Sequence, residues 1–279
     1  MASVPDGATV DAIETDSTGR NRTALEVLYA IPTAELSFAQ YLSMLPPIRP
    51  RYYSISSSPL AEPNVCTLTY SVLEHSITPP NNTAYKFRGA GSSFLASLCS
   101  NDSFYVSVRP SPAIFHLPDD LSVPIVMVCA GAGLAPFLGF VEERAQLSAA
   151  GVTLAPALLF IGCRHPDRDM LYSAKLREQA ASGGTKIHYA FSQAPSLSEG
   201  CKYVQDRLLK ERSAVIDHAG LRSGKGKIFV CGETRVLEGV AATMKWAFAE
   251  LEDGSPGAAD KRWNALRSDG ERYACEVFD

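Results

Sequence analysis

The second half of the chain alternates short apolar runs with longer stretches in which apolar residues recur at helical spacing. The apolar runs predict strands, and each longer stretch predicts a helix that follows a strand. The strands are expected near residues 125–130, 157–162, 186–191 and 227–231, and the helices near 136–149, 170–181, 203–218 and 234–251. Because continuously apolar strands are typical of sheets buried on both faces, this order predicts a doubly wound parallel sheet in an α/β domain over residues 121–279.

The first half of the chain is less regular. Residues 1–22 are rich in Asp, Ser and Thr without periodicity, and we expect them to be a mobile lead-in. Residues 23–45 carry apolar side chains at spacings that suggest short helices broken and stopped by prolines. Residues 65–73 and 104–109 alternate in polarity and predict strands. We therefore expect strand-rich structure ahead of the α/β domain.

The first strand of the α/β domain is followed at once by a glycine turn. Gly131, Ala132 and Gly133 come directly after the strand, and Pro136 stands in the first turn of the next helix. This order presents backbone N–H groups to a phosphate, since glycine lets the backbone approach an anion closely. Pro136 takes the place of the third glycine of the dinucleotide-binding pattern, so the motif also fits a simple strand-to-helix turn.

One extended segment, Ile48–Pro59 with the sequence IRPRYYSISSSP, concentrates polar and aromatic side chains. It contains two arginines, two tyrosines and four serines, which is unusual for a core strand. An arginine supplies a bidentate fork for a pyrophosphate, and a tyrosine ring can stack on a planar heterocycle. The alternative is an aromatic edge strand that ends in a serine-rich turn.

Composition excludes several classes of function. The 279 residues carry a net charge of −4, which does not predict a nucleic-acid-binding surface. No apolar run approaches the length of a transmembrane segment, and the N-terminus lacks the features of an export signal. The seven cysteines include no C-x-x-C pair, and the five histidines show no metal-ligand spacing. We expect reduced thiols, no metal site and a cytoplasmic location.

The segment RYYSISSSP resembles the flavin-binding strand of the ferredoxin–NADP reductase superfamily. It is most similar to the FAD- and NADPH-binding half of the diflavin reductases, which include cytochrome P-450 reductase and the reductase half of fungal self-sufficient cytochrome P-450 fusions. The resemblance runs from about Thr23 to Asp279. It implies a mixed fold, with an antiparallel FAD-binding β-barrel and the tail of a connecting helical region over residues 23–120, followed by the NADP-binding α/β domain over 121–279.

The resemblance also implies a truncated barrel. In the family, the first barrel strands precede an inserted helical region, and this chain begins at the tail of that insertion. We therefore expect an N-terminally truncated barrel, in a separate gene product, a fragment of a larger fusion or an excised piece. Unpaired barrel edges are prone to aggregation unless something covers them.

The family's FAD-binding residues map onto two stretches. By resemblance, Arg51 holds the FAD pyrophosphate, Tyr53 packs on the isoalloxazine and Ser54 hydrogen-bonds near the flavin N5. A second glycine loop opens a short helix and caps the pyrophosphate, although a capped helix after a glycine turn would look the same. The candidate FAD-binding residues are Arg51, Tyr52, Tyr53, Ser54, Gly89, Gly91 and Ser92.

The NADPH site and the point of hydride transfer are also carried over by resemblance. Three residues match the serine, cysteine and acid that surround the transferred hydride: Ser54, Cys163 and Glu276. The candidate NADPH-binding residues lie at strand ends and at the C-terminus: Gly131, Ala132, Gly133, Pro136, Cys163, Arg164, Ser192, Gln193, Lys202, Tyr203, Gln205, Glu233 and Phe278. In the family, an aromatic ring at the position of Phe278 covers the flavin.

Several positions depart from the family pattern. Glu276 replaces an aspartate, Phe278 a tryptophan, and Ala132 a threonine that contacts the cofactor. Gln193 replaces an arginine that grips the 2′-phosphate of NADPH, and Cys201 replaces a lysine there. Since charge-assisted contacts to phosphate are the strong ones, we expect NADPH as the cofactor but with weakened preference, so that NADH is possible.

Three functions remain open from the sequence. The first is a reductase module that transfers hydride from NADPH to FAD and passes electrons to a flavodoxin-like FMN domain or another acceptor, possibly a cytochrome P-450. The second is a non-catalytic NADP-binding remnant whose truncated barrel has lost FAD. The third is a related single-flavin reductase of a sulfite- or nitric-oxide-linked system. Flavin content separates the first two, and the reduced acceptor separates the third.

Overall fold

A computed structural model of the chain describes residues 24–31, 33, 35–77, 84–111, 115–251 and 256–278. The helices are α1 (Ala24–Ala30), α2 (Phe38–Met44), α3 (Ala90–Ser97), α4 (Ala135–Ala149), α5 (Pro166–Asp169), α6 (Ser173–Ser182), α7 (Val204–Lys210), α8 (Arg212–His218), α9 (Thr234–Leu251) and α10 (Pro256–Ser268). The strands are β1 (Glu74–Ile77), β2 (Tyr85–Arg88), β3 (Ile125–Ala130), β4 (Ala157–Cys163), β5 (Thr185–Phe191), β6 (Lys227–Gly232) and β7 (Tyr273–Val277). The predicted lead-in lies outside the described residues.

The chain forms two compact units. The first contains the described residues up to Tyr52 together with Val72–Leu98. The second contains Tyr53–Ser71 and the described residues from Cys99 onwards, which include the parallel sheet. The serine-rich end of the segment Ile48–Pro59 therefore belongs to the same compact unit as that sheet.

The second unit is built on a five-stranded parallel sheet with the order β5-β4-β3-β6-β7. The chain moves outward from β3 to β5 on one side and then returns to add β6 and β7 on the other. The direction of strand addition reverses between β3 and β6. Val128 of β3 is in register with Phe160 of β4 on one side and with Val230 of β6 on the other. The predicted parallel α/β sheet is confirmed, and its four predicted strands lie within one residue of their expected bounds.

Both faces of the sheet are buried, because alternate residues of each central strand point to opposite layers. In β3, Val126 and Val128 pack on one side with residues of α7–α10, whereas Met127 and Cys129 pack on the other with residues of α4 and α6. Trp263 of α10 is 1% exposed and belongs to the first layer. This double burial is the physical reason that the central strands β3, β4 and β6 are largely apolar.

Two predicted helices differ in their bounds. The helix expected over 203–218 is interrupted at Glu211, whose φ of −95° and ψ of 20° depart from helical values, so that α7 and α8 are separate. The helix expected from residue 170 begins at Ser173, because Tyr172 adopts a left-handed conformation with a φ of 53°. A left-handed residue cannot continue a right-handed helix.

The closed barrel is not confirmed. Among the described residues of 23–120, strand pairing is limited to the antiparallel ladder β1–β2 and one isolated bridge between Ile55 and Leu68. Residues 104–109 form no ladder, so the prediction of a strand there is wrong, and Tyr105, Val106 and Val108 are exposed. An alternating segment becomes a strand only where a neighbouring strand pairs with it in a ladder, and no described strand does so here.

Two features are absent from the described residues. Within those ranges, every helix is too short or too polar to cross a lipid bilayer. The same ranges bring no group of three His, Cys, Asp or Glu side chains together in a way that could hold a metal ion.

Candidate functional site

The glycine turn lies at the reversal point of the sheet, where α/β proteins bind their ligands. Gly131 has a φ of +56° and open space around it, a backbone conformation that favours glycine. Gly133 lies against the backbone carbonyl of Cys231 at the end of β6, where any Cβ atom would collide. Pro136 is buried in the first turn of α4. The open space at Gly131 leaves room for a dinucleotide phosphate near the start of α4. The close approach of Gly133 to β6 is possible only without a side chain.

Ser54 and Glu276 meet at the same edge of the sheet. The Ser54 hydroxyl donates a hydrogen bond of 2.8 Å to Oε2 of Glu276, and the Ser111 hydroxyl donates one of 2.9 Å to Oε1. Glu276 stands near the end of β7, in register with Cys231 of β6. The extra methylene of glutamate therefore still allows contact with Ser54. Ser111 was missed by the sequence analysis, since a single serine in an irregular segment gives no signal.

Cys163 ends β4 at the same carboxyl edge and is half-buried. Burial, and then the negative charge of Asp169, raise the pKa of its thiol to about 12. The thiol is therefore protonated at neutral pH and offers a neutral S–H group. The backbone carbonyl of Cys163 accepts a 2.9 Å hydrogen bond from the N–H of Ser192, which joins the loops that follow β4 and β5.

The loop after β4 is organised by Asp169. Its carboxylate accepts backbone N–H bonds from Arg164 and His165 and a 3.0 Å bond from Nε of Arg164. Burial alone would raise the pKa of Asp169, but these hydrogen bonds and the charge of Arg164 outweigh it and hold the pKa below its ordinary value. The exposed guanidinium of Arg164 is thereby fixed in direction at the mouth of the site.

A second arginine lies beside the glutamine at position 193. Nη1 of Arg168 donates a 3.3 Å hydrogen bond to Oε1 of Gln193. The backbone N–H of Gln193 donates to the carbonyl of Arg164 at 2.9 Å. A guanidinium therefore lies beside the position where the resemblance implies one, although it comes from a different loop. The sequence analysis missed Arg168, because its contact with Gln193 joins residues 25 positions apart.

Lys202 and Tyr203 lie next to the end of β5, because Cys201 accepts a backbone hydrogen bond from Phe191. The ammonium of Lys202 is 5.1 Å from the centre of the Tyr203 ring, and both side chains are exposed. Their backbone N–H groups donate to Asp206 at 2.9 and 2.8 Å, which fixes the start of α7. The polar groups after β5 thus include a hydroxyl at Ser192, an ammonium and a phenol.

The remaining candidates of the second unit have more varied surroundings. Phe278 follows β7 and donates its backbone N–H to the carbonyl of Gly232, so it lies beside the end of β6. Glu233 is exposed between β6 and α9, and Ala132 is half-buried in the glycine turn. Gln205 packs its side-chain amide against Gly239 of α9.

The flavin-binding candidates near residue 53 belong to two different compact units. In the first unit, Arg51 and Tyr52 are exposed, and a guanidinium N–H of Arg51 donates to the carbonyl of Arg49. In the second unit, the half-buried ring of Tyr53 meets Tyr70 edge-on, with the ring centres 5.7 Å apart.

The second glycine loop opens α3 as predicted. Gly89 precedes the helix and donates its backbone N–H to the carbonyl of Leu73, and a Cβ at Gly89 would lie 2.9 Å from the Cβ of Leu73. Gly91 is half-buried in the first turn. The buried hydroxyl of Ser92 accepts a 3.1 Å hydrogen bond from the N–H of Leu73. This hydroxyl therefore ties the helix start to the chain before β1.

Comparison with known proteins identifies two domain families along the chain. Residues 4–94 match the family described as FAD binding domain, and residues 127–242 match the family described as oxidoreductase NAD-binding domain. The glycine turn, the loops after β4 and β5, and the start of α9 all fall within the second match.

Several curated fungal proteins are similar over nearly the whole chain. The chain is 40% identical over 95% of its length to a bifunctional cytochrome P-450/NADPH–P-450 reductase of Acremonium egyptiacum and 40% identical over 96% to one of Fusarium oxysporum. It is 42% identical over 94% to a self-sufficient cytochrome P-450 monooxygenase of Phanerodontia chrysosporium. It covers 24%, 25% and 24% of these relatives, so it spans about a quarter of their length.

Proposed function

We propose that this chain is a member of the FAD- and NADPH-binding reductases that it resembles, and that it takes hydride from NADPH onto FAD and passes the electrons to a further redox centre. The observation that supports this most directly is the 2.8 Å hydrogen bond between Ser54 and Glu276. This hydrogen bond joins two parts of the molecule. One is the serine segment, which resembles a flavin-binding strand, and the other is β7 of the parallel sheet of the NAD-binding fold. Flavin and nicotinamide, when bound, supply the hydride chemistry.

At the point of hydride transfer, we assign the polar roles to Ser54, Glu276 and Cys163. The Glu276 carboxylate accepts two hydroxyl hydrogen bonds, from Ser54 and Ser111, and is thus held in one orientation. Its negative charge can steady positive charge that develops on a neighbouring ring. The protonated thiol of Cys163 contributes a neutral surface at the same edge. Such pre-positioned groups lower the barrier because they need no rearrangement during the reaction.

At the other end of the nicotinamide cofactor, the turn from Gly131 to Gly133 takes the pyrophosphate. We assign the 2′-phosphate to the groups after β5, with Arg168 supplying the charge that Gln193 lacks. Ser192, Lys202 and Tyr203 complete this set as hydroxyl, ammonium and phenol donors. These charge-assisted contacts favour NADPH over NADH.

The FAD domain is proposed over residues 23–120, with the tail of a connecting helical region, ahead of the NADP-binding domain over 121–279. The match of residues 4–94 to an FAD binding domain supports it. On the flavin side we propose Arg51, Tyr52, Tyr53, Gly89, Gly91 and Ser92 as contacts, and Phe278 as the ring that covers the flavin. The side chains of Arg51 and Tyr52 are both exposed.

The electron acceptor is proposed from the relatives. Their names describe fusions of a cytochrome P-450 with an NADPH–P-450 reductase or self-sufficient monooxygenases. We propose that this chain performs the reductase step of such a system and hands electrons to a flavodoxin-like FMN domain and through it to a cytochrome P-450.

A second candidate function is a non-catalytic NADP-binding remnant. One observation favours it, namely the sparse strand pairing in the part of the predicted FAD domain that the structure describes. The NADP-binding sheet would then be intact while flavin binding is lost.

One measurement separates these two functions. The visible absorption spectrum of the purified chain is recorded after reconstitution with FAD, before and after addition of NADPH without oxygen. We expect a bound flavin spectrum that bleaches on addition of NADPH. A protein that stays colourless after reconstitution, yet still binds NADP⁺, would overturn the reductase proposal and support the remnant.

A further inference from the structure

Glu142 is a buried acid that the proposed reaction does not use. It lies on α4, seven residues after Ala135, the first residue of the helix, and its side chain is 8% exposed. A buried carboxylate costs free energy unless hydrogen bonds satisfy it, so its partners show what it is for.

The partners of Glu142 come from two other parts of the second unit. Oε2 accepts a 2.8 Å hydrogen bond from the backbone N–H of Ser58. Oε1 accepts hydrogen bonds from Nε2 of Gln179 at 3.0 Å and from Nζ of Lys175 at 2.8 Å, both on α6. The carboxylate therefore connects α4 and α6 to the end of the serine segment Ser54–Ser58.

The same face of α4 lets the serine segment approach closely. A Cβ at Gly139, one turn before Glu142, would lie 3.3 Å from the carbonyl oxygen of Ser57 and 3.6 Å from that of Ile55. Glycine inside a helix costs roughly 1 kcal/mol relative to alanine, so its presence here is explained by this approach. Gly139 and Glu142 thus form one docking surface for the segment.

The opposite side of the segment is held by hydroxyl groups. The backbone N–H of Ser56 donates to the carbonyl of Thr67 at 2.8 Å, and the Ser56 hydroxyl lies 3.0 Å from those of Thr67 and Thr69. Thr69 also donates a 3.3 Å bond to the Tyr172 hydroxyl. Ser58 is 1% exposed, so the Glu142 carboxylate rather than solvent satisfies its backbone N–H.

We propose that Glu142 is a positioning residue that fixes the segment Ser54–Ser58 on the sheet and so sets the Ser54 hydroxyl against Glu276. The importance of this position for flavin binding rests on the proposed function. Removal of the carboxylate leaves Lys175 free to turn into water, because 64% of that side chain is already exposed. The unsatisfied group is then the buried N–H of Ser58, so the loss falls on the segment.

The test compares Glu142→Ala with Lys175→Met in the full chain. Both variants disrupt the ion pair with Glu142, but Lys175 has no hydrogen bond to the serine segment. Amide hydrogen exchange of the peptide that spans residues 54–58 is measured by mass spectrometry, together with FAD binding by fluorescence and NADP⁺ binding by calorimetry. Exchange of this peptide reports on the segment without requiring any cofactor.

We expect Glu142→Ala to speed exchange of the peptide by about tenfold and to weaken FAD binding by about tenfold, with NADP⁺ binding within about twofold of the parent. Lys175→Met should leave the exchange rate of the peptide, FAD binding and NADP⁺ binding within about twofold of the parent. Equal effects of the two variants, or unchanged exchange in Glu142→Ala, would overturn the proposal. If Glu142→Ala does not fold, Glu142→Gln, which retains one acceptor for Ser58, should show the same pattern with smaller changes.

The outcome also separates this proposal from the proposed function. If the parent chain binds no FAD, the reductase proposal fails, but faster exchange in Glu142→Ala alone still supports the positioning role. If the parent binds FAD and only Glu142→Ala weakens it, both proposals hold.

Discussion

The parallel sheet and the serine segment Ser54–Ser58 lie in the same compact unit but are held in different ways. The sheet is stabilised by regular backbone ladders and by apolar layers on both faces. The segment has one isolated bridge, at Ile55, and depends on single side chains such as Glu142 and Thr69. A substitution in the sheet therefore acts on the stability of the whole unit, whereas one in the segment should act on local position and on the flavin side.

The largest effect is expected for Gly133→Ala, on the sheet side of this comparison. The new Cβ would collide with the backbone carbonyl of Cys231, which cannot move without disturbing β6. We expect the free energy of unfolding to fall by about 3 kcal/mol and NADP⁺ binding to weaken. Urea denaturation measures the first effect. Gly257→Ala, which has no atoms near its Cβ, is the control and should change stability by less than about 1 kcal/mol; similar losses in both variants would contradict the prediction.

The second largest effect is expected when the charge of Glu142, which holds the serine segment, is removed. Burial tends to raise the pKa of Glu142, but hydrogen bonds from Lys175, Ser58 and Gln179 outweigh it, so the pKa lies below its ordinary value of 4.5. The stabilisation of the folded state by the Glu142 carboxylate is therefore complete above pH 4.5, and it is lost as the pH falls through the lowered pKa of Glu142. At pH 7 we expect Glu142→Gln to be less stable than the parent by about 2 kcal/mol.

The measurement is thermal unfolding of parent and Glu142→Gln from pH 7 down to about pH 3. The difference between the two should shrink at the acid end, because the parent carboxylate becomes protonated there. A difference that is constant with pH would mean that the charge of Glu142 contributes nothing.

A third effect concerns cofactor choice, at the loops that follow the strands. We expect Arg168→Gln to lower the ratio of kcat/KM for NADPH to that for NADH by about tenfold, because it removes the guanidinium beside Gln193. Gln193→Arg should raise the same ratio. The control is Arg177→Gln on α6, whose guanidinium bonds to the carbonyl of Ser173. If Arg168→Gln leaves the ratio of kcat/KM values for NADPH and NADH unchanged, Arg168 is not part of the cofactor site.

The smallest effect is expected for Ser56→Ala on the hydroxyl side of the segment. The variant loses the contacts of the Ser56 hydroxyl with Thr67 and Thr69 but keeps its backbone bond. We expect a loss of about 1 kcal/mol in unfolding free energy. Ser97→Ala, at an exposed position of α3, serves as the reference. If the two variants are equally stable, the hydroxyl groups do not hold the segment.

The sequence was sufficient where one element carried its own signal. The central strands β3, β4 and β6 were predicted because each is a largely apolar run, and the edge strand β5 was predicted from the regular alternation of strands and helices. The turn at Gly131–Gly133 was predicted because glycines follow the first run directly. Strand β7 was recognised only as a C-terminal motif. It lies at the edge of the sheet and pairs with β6 alone, so its residues are partly exposed and its polarity is mixed.

Tertiary structure decided the features that depend on distant partners. Residues 104–109 alternate in polarity but form no ladder with any described residue, since a strand needs a neighbour that its own sequence does not specify. The contacts of Glu276 with Ser54 and Ser111 join residues 222 and 165 positions apart. Local pattern contains no information about such pairs.

The sequence by itself indicated the α/β architecture and the glycine turn after its first strand, because periodicity and glycine placement are local properties of the chain, and its motifs carried the resemblance to the reductases. Only the tertiary structure decided that Arg168 lies beside Gln193, that Ser111 shares Glu276 with Ser54, and that Glu142 holds the serine segment. Each of these is a hydrogen bond between residues that are far apart in the sequence and that the fold of the second unit brings together. Their geometry follows from the order β5-β4-β3-β6-β7, which no single segment encodes.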